Sequence, residues 1–284
     1  MHSHLRNRRG FSLIELLVVV VLMGIIGATL TRVLLNMQRG SRAQSERVTL
    51  QGNLRAGIAF VPSELRELSA QDIIDADRDH IEYRAMRASG AACAVSATQI
   101  TLRNALTFKF RDIEAVRDSL FIFVESNEAL ASDDRWVALG ITAVGTANCP
   151  DGSAGTLLTV STAGAGYAAY TDTLPQIELL APVRAFERME LALYTADGRD
   201  WLGARSISAG EAALQPVLGP LVADSGLKLT YRDGNGTQTA TIANMRTIDI
   251  TLMGETGVPI SSAYGGPAIA EDSIVARVRL RNEY

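Results

Sequence analysis

Glu15 is the only charged residue between Phe11 and Leu30. The rest of that stretch is Leu, Ile, Val, Met, Gly and Ala, with Ser12 and Thr29 as its other polar members. A carboxylate is costly to hold in apolar surroundings, and a charge found there is by default a functional one. The chemistry open to it is pairing with a cation that is equally costly to bury alone. Read without function, Glu15 lies about 6 Å along a helix begun at Phe11 and would snorkel to an interface.

The element that must hold Glu15 is a helix. Residues 11–30 span about 30 Å in helical form, the thickness of a bilayer's hydrocarbon. Residues 16–28 show no polar face, so a soluble amphipathic helix is excluded. A secretory signal peptide also has a basic start and an apolar run, but it ends in a small-residue cleavage site. Gly24, Gly27 and Ala28 are candidates for such a site, without a clean A-x-A triplet. A plain single-span anchor is the other alternative. Neither accounts for Glu15.

The flanking sequence does. Arg8-Arg9-Gly10-Phe11-Ser12-Leu13-Ile14-Glu15-Leu16-Leu17 joins a short basic leader ending in Gly to Phe, with Glu at the fifth position of the apolar run. This pattern resembles the type IV prepilin signature. The resemblance implies cleavage between Gly10 and Phe11 by a membrane prepilin peptidase, which also methylates the new amine of Phe11. It further implies that Glu15 pairs with the amino terminus of a neighbouring subunit during filament assembly. Each of those charges is costly alone, and staggered subunits satisfy both at once, which sets register. Removing residues 1–10 takes away Arg6, Arg8 and Arg9, three of the 27 basic residues, and moves the formal charge from −4 to about −7. Those three Arg favour a cytoplasmic amino terminus, but Arg32, Arg39, Arg42 and Arg47 follow the span, so charge alone barely decides orientation. The prepilin resemblance, together with the two cysteines, implies a periplasmic carboxyl-terminal domain.

No Pro precedes Pro62, so one helix is expected from Phe11 well past the membrane. Residues 36–53 turn polar, and Leu50, Leu54, Ile58, Val61, Leu65 and Leu68 then form a stripe at helical spacing. Gly40, Gly52 and Gly57 each weaken the helix by about 1 kcal/mol, and Pro62 should kink or restart it. The organisation read from this is a leader (1–10), a long helix (11–70, with 11–31 transmembrane and 32–70 packing on a sheet) and a β-rich domain (71–284). After residue 70, period-two alternation marks strands at Ile81–Ala85, Gln99–Leu102 and Phe108–Phe110, Ser119–Val124 is an apolar strand-like run, and Trp136–Ile141 is a further candidate. Others fall at Gly155–Ser161, Gln176–Pro182, Arg188–Thr195, Lys228–Arg232, Thr239–Ile242, Thr247–Met253 and Ile274–Leu280. Asp233-Gly-Asn-Gly236 reads as a turn closing a hairpin, and Pro259–Pro267 as a loop. The fold class is α+β, pilin-like, with a mostly antiparallel sheet.

The chain is 47% apolar and only 6% aromatic, so its core is aliphatic. With 27 basic against 31 acidic residues it has no cationic excess for a nucleic-acid backbone. Cys93 and Cys149 are too few for a four-thiolate zinc site. An exported domain lies where disulfides form, and joining these two would close a loop of about 55 residues, worth about 3–4 kcal/mol. The alternative is two unpaired thiols. A catalytic Cys lacks a partner, because His80 is the only His left after leader removal. Asp75, Asp77 and Asp79 alternate, but Arg78 and His80 break the EF-hand pattern, which leaves a solvated loop and no metal site. Gly164-Ala-Gly166-Tyr-Ala-Ala169 matches G-x-G-x-x-A without the βαβ unit that a dinucleotide fold needs. There is no G-x-S-x-G, H-E-x-x-H or phosphate-loop motif.

The resulting expectation is a non-enzymatic minor pilin-type subunit without cofactor, metal or small-molecule substrate. Its partners would be the prepilin peptidase/methylase, the inner membrane and other minor and major pilins or pseudopilins. Leu50–Arg55, Leu65-Arg66, Val183–Tyr194, Trp201 and Leu221–Tyr231 resemble scattered positions of PilW-like and J-type pseudopilin proteins. A J-type pseudopilin of a type II secretion system is therefore the nearest alternative. A membrane-anchored exported hydrolase is a more distant one.

Overall fold

The structure is a computed structural model and describes residues 12–96, 98–124, 135–161, 180–262 and 265–281. The Gly10/Phe11 junction, the Gly164–Ala169 run and most of Gln176–Pro182 lie outside the described residues. The fold is α+β: one long amino-terminal helix, then an antiparallel β domain. Helix α1 runs Leu13–Leu65. The strands are β1 (Ile73–Ala76), β2 (His80–Val95), β3 (Gln99–Arg103), β4 (Phe108–Lys109), β5 (Ser119–Val124), β6 (Arg135–Asn148), β7 (Ala154–Ser161) and β8 (Pro182–Ala196). They continue with β9 (Arg199–Ser206), β10 (Gln215–Leu221), β11 (Leu227–Arg232), β12 (Thr247–Glu255), β13 (Ile260–Ser262), β14 (Gly265–Ala268) and β15 (Glu271–Arg279).

Contacts divide the chain into two units. The first holds Met1–Gln51 and Thr256–Ala270. In it, β13 and β14 pair through Ile260↔Ala268 and Ser261↔Pro267, so the Pro259–Pro267 stretch read as a loop is a short hairpin. Its base is held by the Gly257 amide, which donates to Glu46 Oε2 at 3.0 Å, and by the Ala270 amide, which donates to Thr256 Oγ1 at 3.0 Å.

The second unit holds Gly52–Glu255 and Glu271–Tyr284. Strand β2 pairs β8 along one edge and β1, β4 and β3 along the other. The ladders β3–β7, β7–β6, β6–β5 and β5–β8 lead back to β8, so β2, β3, β7, β6, β5 and β8 form a closed ring. Closure removes sheet edges, and alternation points every second side chain inward. The inward set is aliphatic and fully enclosed: Ile100, Leu102, Leu120, Ile122, Val137, Leu139 and Leu158 are at most 1% exposed. Ala88, Ala92 and Ala185 supply the small residues that a narrow barrel needs. This is how a chain with few aromatics builds a dense core. From β8 the sheet continues through β9 and β10 to β12, which is flanked by β11 and β15.

The carboxyl-terminal turns of α1 pack on that extension. Leu54, Val61 and Leu65 are buried. A Cβ at Gly57 would lie 2.4 Å from Leu218 and 2.7 Å from Leu252, so Gly57 is the point of close approach. Asn53 Nδ2 donates to the Gly219 carbonyl at 3.0 Å. Pro62 does not interrupt α1. Its ring nitrogen forfeits the bond to the Ile58 carbonyl, and the buried Val61 and Leu65 on either side hold the last turn against the sheet. The expected strand at Thr239–Ile242 is absent; Ile242–Asn244 is a 3-10 turn. This segment's contact with β11 ends at one bridge, Arg232↔Gln238, where the Thr239 amide donates to the Tyr231 carbonyl (3.0 Å); further along the same edge the Leu229 amide donates to the Arg78 carbonyl instead.

Candidate functional site

Helix α1 starts where its sequence dictates. Ser12-Leu-Ile-Glu15 has the capping-box spacing, and Ser12 Oγ accepts the Glu15 amide at 3.2 Å. The Ser12 carbonyl accepts the amides of Glu15 (3.1 Å) and Leu16 (3.2 Å). Glu15 is therefore in the first turn, where the positive end of the helix dipole favours a carboxylate. The Ser–x–x–Glu spacing is the sequence signal for this local role. Glu15 is exposed and has no ion-pair partner within the chain among the described residues.

The surface around it is apolar. Every large apolar side chain from Leu13 to Met37 is exposed, from 85% at Leu13 to 45% at Leu35. No soluble monomer presents such a stripe to water, so lipid or other helices must cover it. The two hydroxyls in this stretch are already satisfied: Thr29 Oγ1 donates to the Ile26 carbonyl at 2.8 Å and Thr31 Oγ1 to Gly27 at 2.8 Å. Such back-bonding lowers the cost of a hydroxyl in hydrocarbon. Gly24 and Gly27 have nothing within 4 Å of an added Cβ, so that surface of the helix is open to a close neighbour.

In the β domain, Cys93 and Cys149 form a disulfide with Cα atoms 5.6 Å apart. It ties β2 to the turn after β6 and leaves no free cysteine among the described residues. Asp75, Asp77 and Asp79 are exposed. Asp75 and Asp77 accept the amides of the residues that follow them, at 3.0 and 2.9 Å. No cluster fit for a metal ion occurs among the described residues. His80 Nε2 lies 3.2 Å from Glu190 Oε1, and its backbone carbonyl accepts the Tyr231 hydroxyl at 3.3 Å. Burial and the charges of Asp77, Asp75 and Asp79 push the Tyr231 hydroxyl well above its ordinary pKa.

The densest polar cluster was not legible in sequence. Glu187 follows Val183 and Ala185 on the inward face of β8, and its side chain is fully buried. It accepts Arg87 Nε (2.8 Å), Arg111 Nη2 (2.9 Å), Arg117 Nε (2.6 Å) and the Ser206 hydroxyl. Arg111 also grips buried Asp118 with both terminal nitrogens, at 2.7 and 2.6 Å. Burial opposes ionisation of Glu187, but the hydrogen bonds from Ser206 and the three Arg outweigh it and hold the carboxyl at about 2. All its acceptor sites are taken, so the cluster is structural. It pins the β4–β5 connection, whose Ile113 belongs to the barrel core.

Residues 5–31 match the family model for the prokaryotic N-terminal methylation motif. No curated protein and no solved structure showed significant similarity to the chain. The amino terminus of this chain carries the type IV prepilin signature, joined to a long apolar helix that the fold leaves uncovered.

Proposed function

We propose that this protein is a minor pilin-type structural subunit, cut between Gly10 and Phe11, N-methylated on Phe11, and built into a type IV pilus or related filament. The observation that carries this reading is the methylation motif standing at the head of an apolar helix with none of its span buried. Before assembly the helix anchors the chain in the inner membrane, with the β domain in the periplasm. In the filament, neighbouring helices replace lipid around Leu13–Met37. Glu15 then meets the amino terminus of the adjacent Phe11, and each charge removes the penalty of the other. The disulfide suits an oxidising compartment. The same features serve a J-type pseudopilin of a type II secretion system. The prepilin peptidase/methylase and other pilins or pseudopilins are its partners.

Glu15 has two physical roles to separate, helix capping and intersubunit pairing. Gln preserves a capping box at the third helical position, whereas Ala does not, and both remove the charge. Leaving the adjacent amine unpaired costs on the order of 3 kcal/mol, about a hundredfold in association. The reading predicts that Glu15→Gln and Glu15→Ala are both cleaved normally and both lose incorporation, measured as subunit recovered in sheared filaments. Full incorporation of Glu15→Gln would leave Glu15 a capping role alone.

A further inference from the structure

Strand β15 is nine residues long, and its ladder with β12 runs without a bulge from Thr247↔Arg279 to Glu255↔Glu271. Among the described residues β12 is its only strand partner. The parity of that ladder shows which groups are left over. The Leu280 amide donates to the Arg246 carbonyl at 2.9 Å, in the same register, so even-numbered residues of the two strands exchange their hydrogen bonds. The Met253 amide donates to Gly226, which directs the odd-numbered residues of β12 towards β11. Odd-numbered residues of β15 therefore turn their N–H and C=O away from β12, and the Arg281 amide, which donates to Leu68 at 2.7 Å, follows the same rule. The Ser273 amide is taken by Asp272 Oδ1 at 2.8 Å. Those of Val275, Arg277 and Arg279 have no protein partner among the described residues. Natural sheets blunt an edge with Pro, bulges, short strands or charge, and β15 has charge alone.

Burial points the same way. On the inner face of β12, Ile248, Ile250 and Leu252 are 0% exposed, whereas Ile274 and Ala276 beside them on β15 are only half-buried. One more strand would complete their cover. On the outer face the register sets Arg232, Thr247 and Arg279 in one row, Thr230, Asp249 and Arg277 in the next, and Lys228, Thr251 and Val275 in a third. Asp249 serves both Arg232 (2.6 Å) and Arg277 (2.5 Å). Two guanidiniums thus share this carboxylate, and Arg279 and Lys228 stand in the rows on either side of it.

The geometry points to the free edge of β15 as a docking site for an extended segment of a partner protein. That segment adds as a further strand, with apolar side chains over Ile274 and Ala276 and acidic ones level with Arg277 and Arg279. The inference rests on the sheet alone and stands whether or not residues 1–10 are removed.

The test uses the full chain in detergent micelles with residue-resolved hydrogen exchange. The probe is an eight-residue peptide alternating Val and Glu, and the control alternates Val and Lys. In the free protein the amides of Val275, Arg277 and Arg279 exchange much faster than those of Ile274, Ala276 and Val278. Millimolar Val–Glu peptide should slow Val275 and Arg277 about tenfold or more, and the Val–Lys peptide should not. Val275→Pro removes an outward N–H without touching the β12 ladder and abolishes the effect. Arg279→Glu, which leaves the backbone intact, reverses the preference between the peptides. Prior protection of the three amides, no slowing by the Val–Glu peptide, or equal slowing by both peptides overturns the proposal. So does protection that grows with protein concentration alone, which would assign the edge to a second copy.

Discussion

Replacing Glu187 with Gln removes the one charge that three guanidinium groups share. The wild-type carboxyl is held near 2, against an ordinary value of 4.5. Each unit of such a shift is about 1.4 kcal/mol, so ionised Glu187 contributes on the order of 2–3 kcal/mol to the β domain, with some discount for the partly exposed Arg117. Because the folded value lies below the unfolded one, this stability is fully present above about pH 4.5 and is lost as pH falls towards 2. In the variant, Arg87 and Arg117 lose a charged acceptor inside the fold, while Arg111 keeps Asp118. Urea unfolding followed by the fluorescence of Trp136 and Trp201, both in the β domain, reads the difference. At pH 6 Glu187→Gln should be less stable by on the order of 2–3 kcal/mol. The gap between variant and wild type should narrow steadily from pH 4.5 downwards. A variant within about 0.5 kcal/mol of wild type at pH 6, or a gap that stays constant to pH 3, would refute the assignment of this stability to the buried charge.

Joint replacement of Cys93 and Cys149 by Ser should cost the β domain about 3–4 kcal/mol, since the bridge closes a separation of 56 residues. Denaturant unfolding with and without reductant checks this, and reductant should destabilise only the wild type. Gly57→Leu should destabilise the packing of α1 on the sheet by about 2 kcal/mol, because its side chain would overlap Leu218 and Leu252. Gly52→Ala, with nothing within 4 Å of the new Cβ, should stabilise by about 0.5–1 kcal/mol. Thermal melts of the two variants should shift in opposite directions.

The sequence showed most clearly those elements whose stability is local or one-sided. Helix α1 was legible because its apolar run and Pro-free course suit no other structure. Strand β12 was legible because one face is buried and the other polar, as in the alternation of Ile248, Ile250 and Leu252 with Thr247, Asp249 and Thr251, and β5 because Leu120–Val124 is a short, continuous apolar run. Strands β9 and β10 were missed because they carry Gly203, Gly219, Pro216 and Pro220, residues that ordinarily argue against a strand. Tertiary contact explains the two glycines. A Cβ at Gly203 would meet the Tyr194 ring at 2.7 Å, and one at Gly219 the Trp201 ring at 2.5 Å, so aromatic side chains occupy the missing volume. Barrel closure depends on β2 pairing β8 about a hundred residues away, and the Glu187 cluster gathers Arg87, Arg111 and Arg117 from 100, 76 and 70 residues away. No local pattern encodes either. At the amino terminus the prepilin signature is legible in full, and the Ser12 cap on Glu15 is a second signal carried by the same residues.

In the proposed function, processing at the Gly10–Phe11 junction turns an anchored precursor into a subunit. Intact-mass and amino-terminal peptide spectrometry of the protein, extracted from membranes of cells with an active prepilin peptidase, tests it most directly. The expected product is a chain beginning at Phe11 and heavier by one methyl group than the unmodified residue sum. A chain that keeps Met1, or one cut near Ala28, would contradict it.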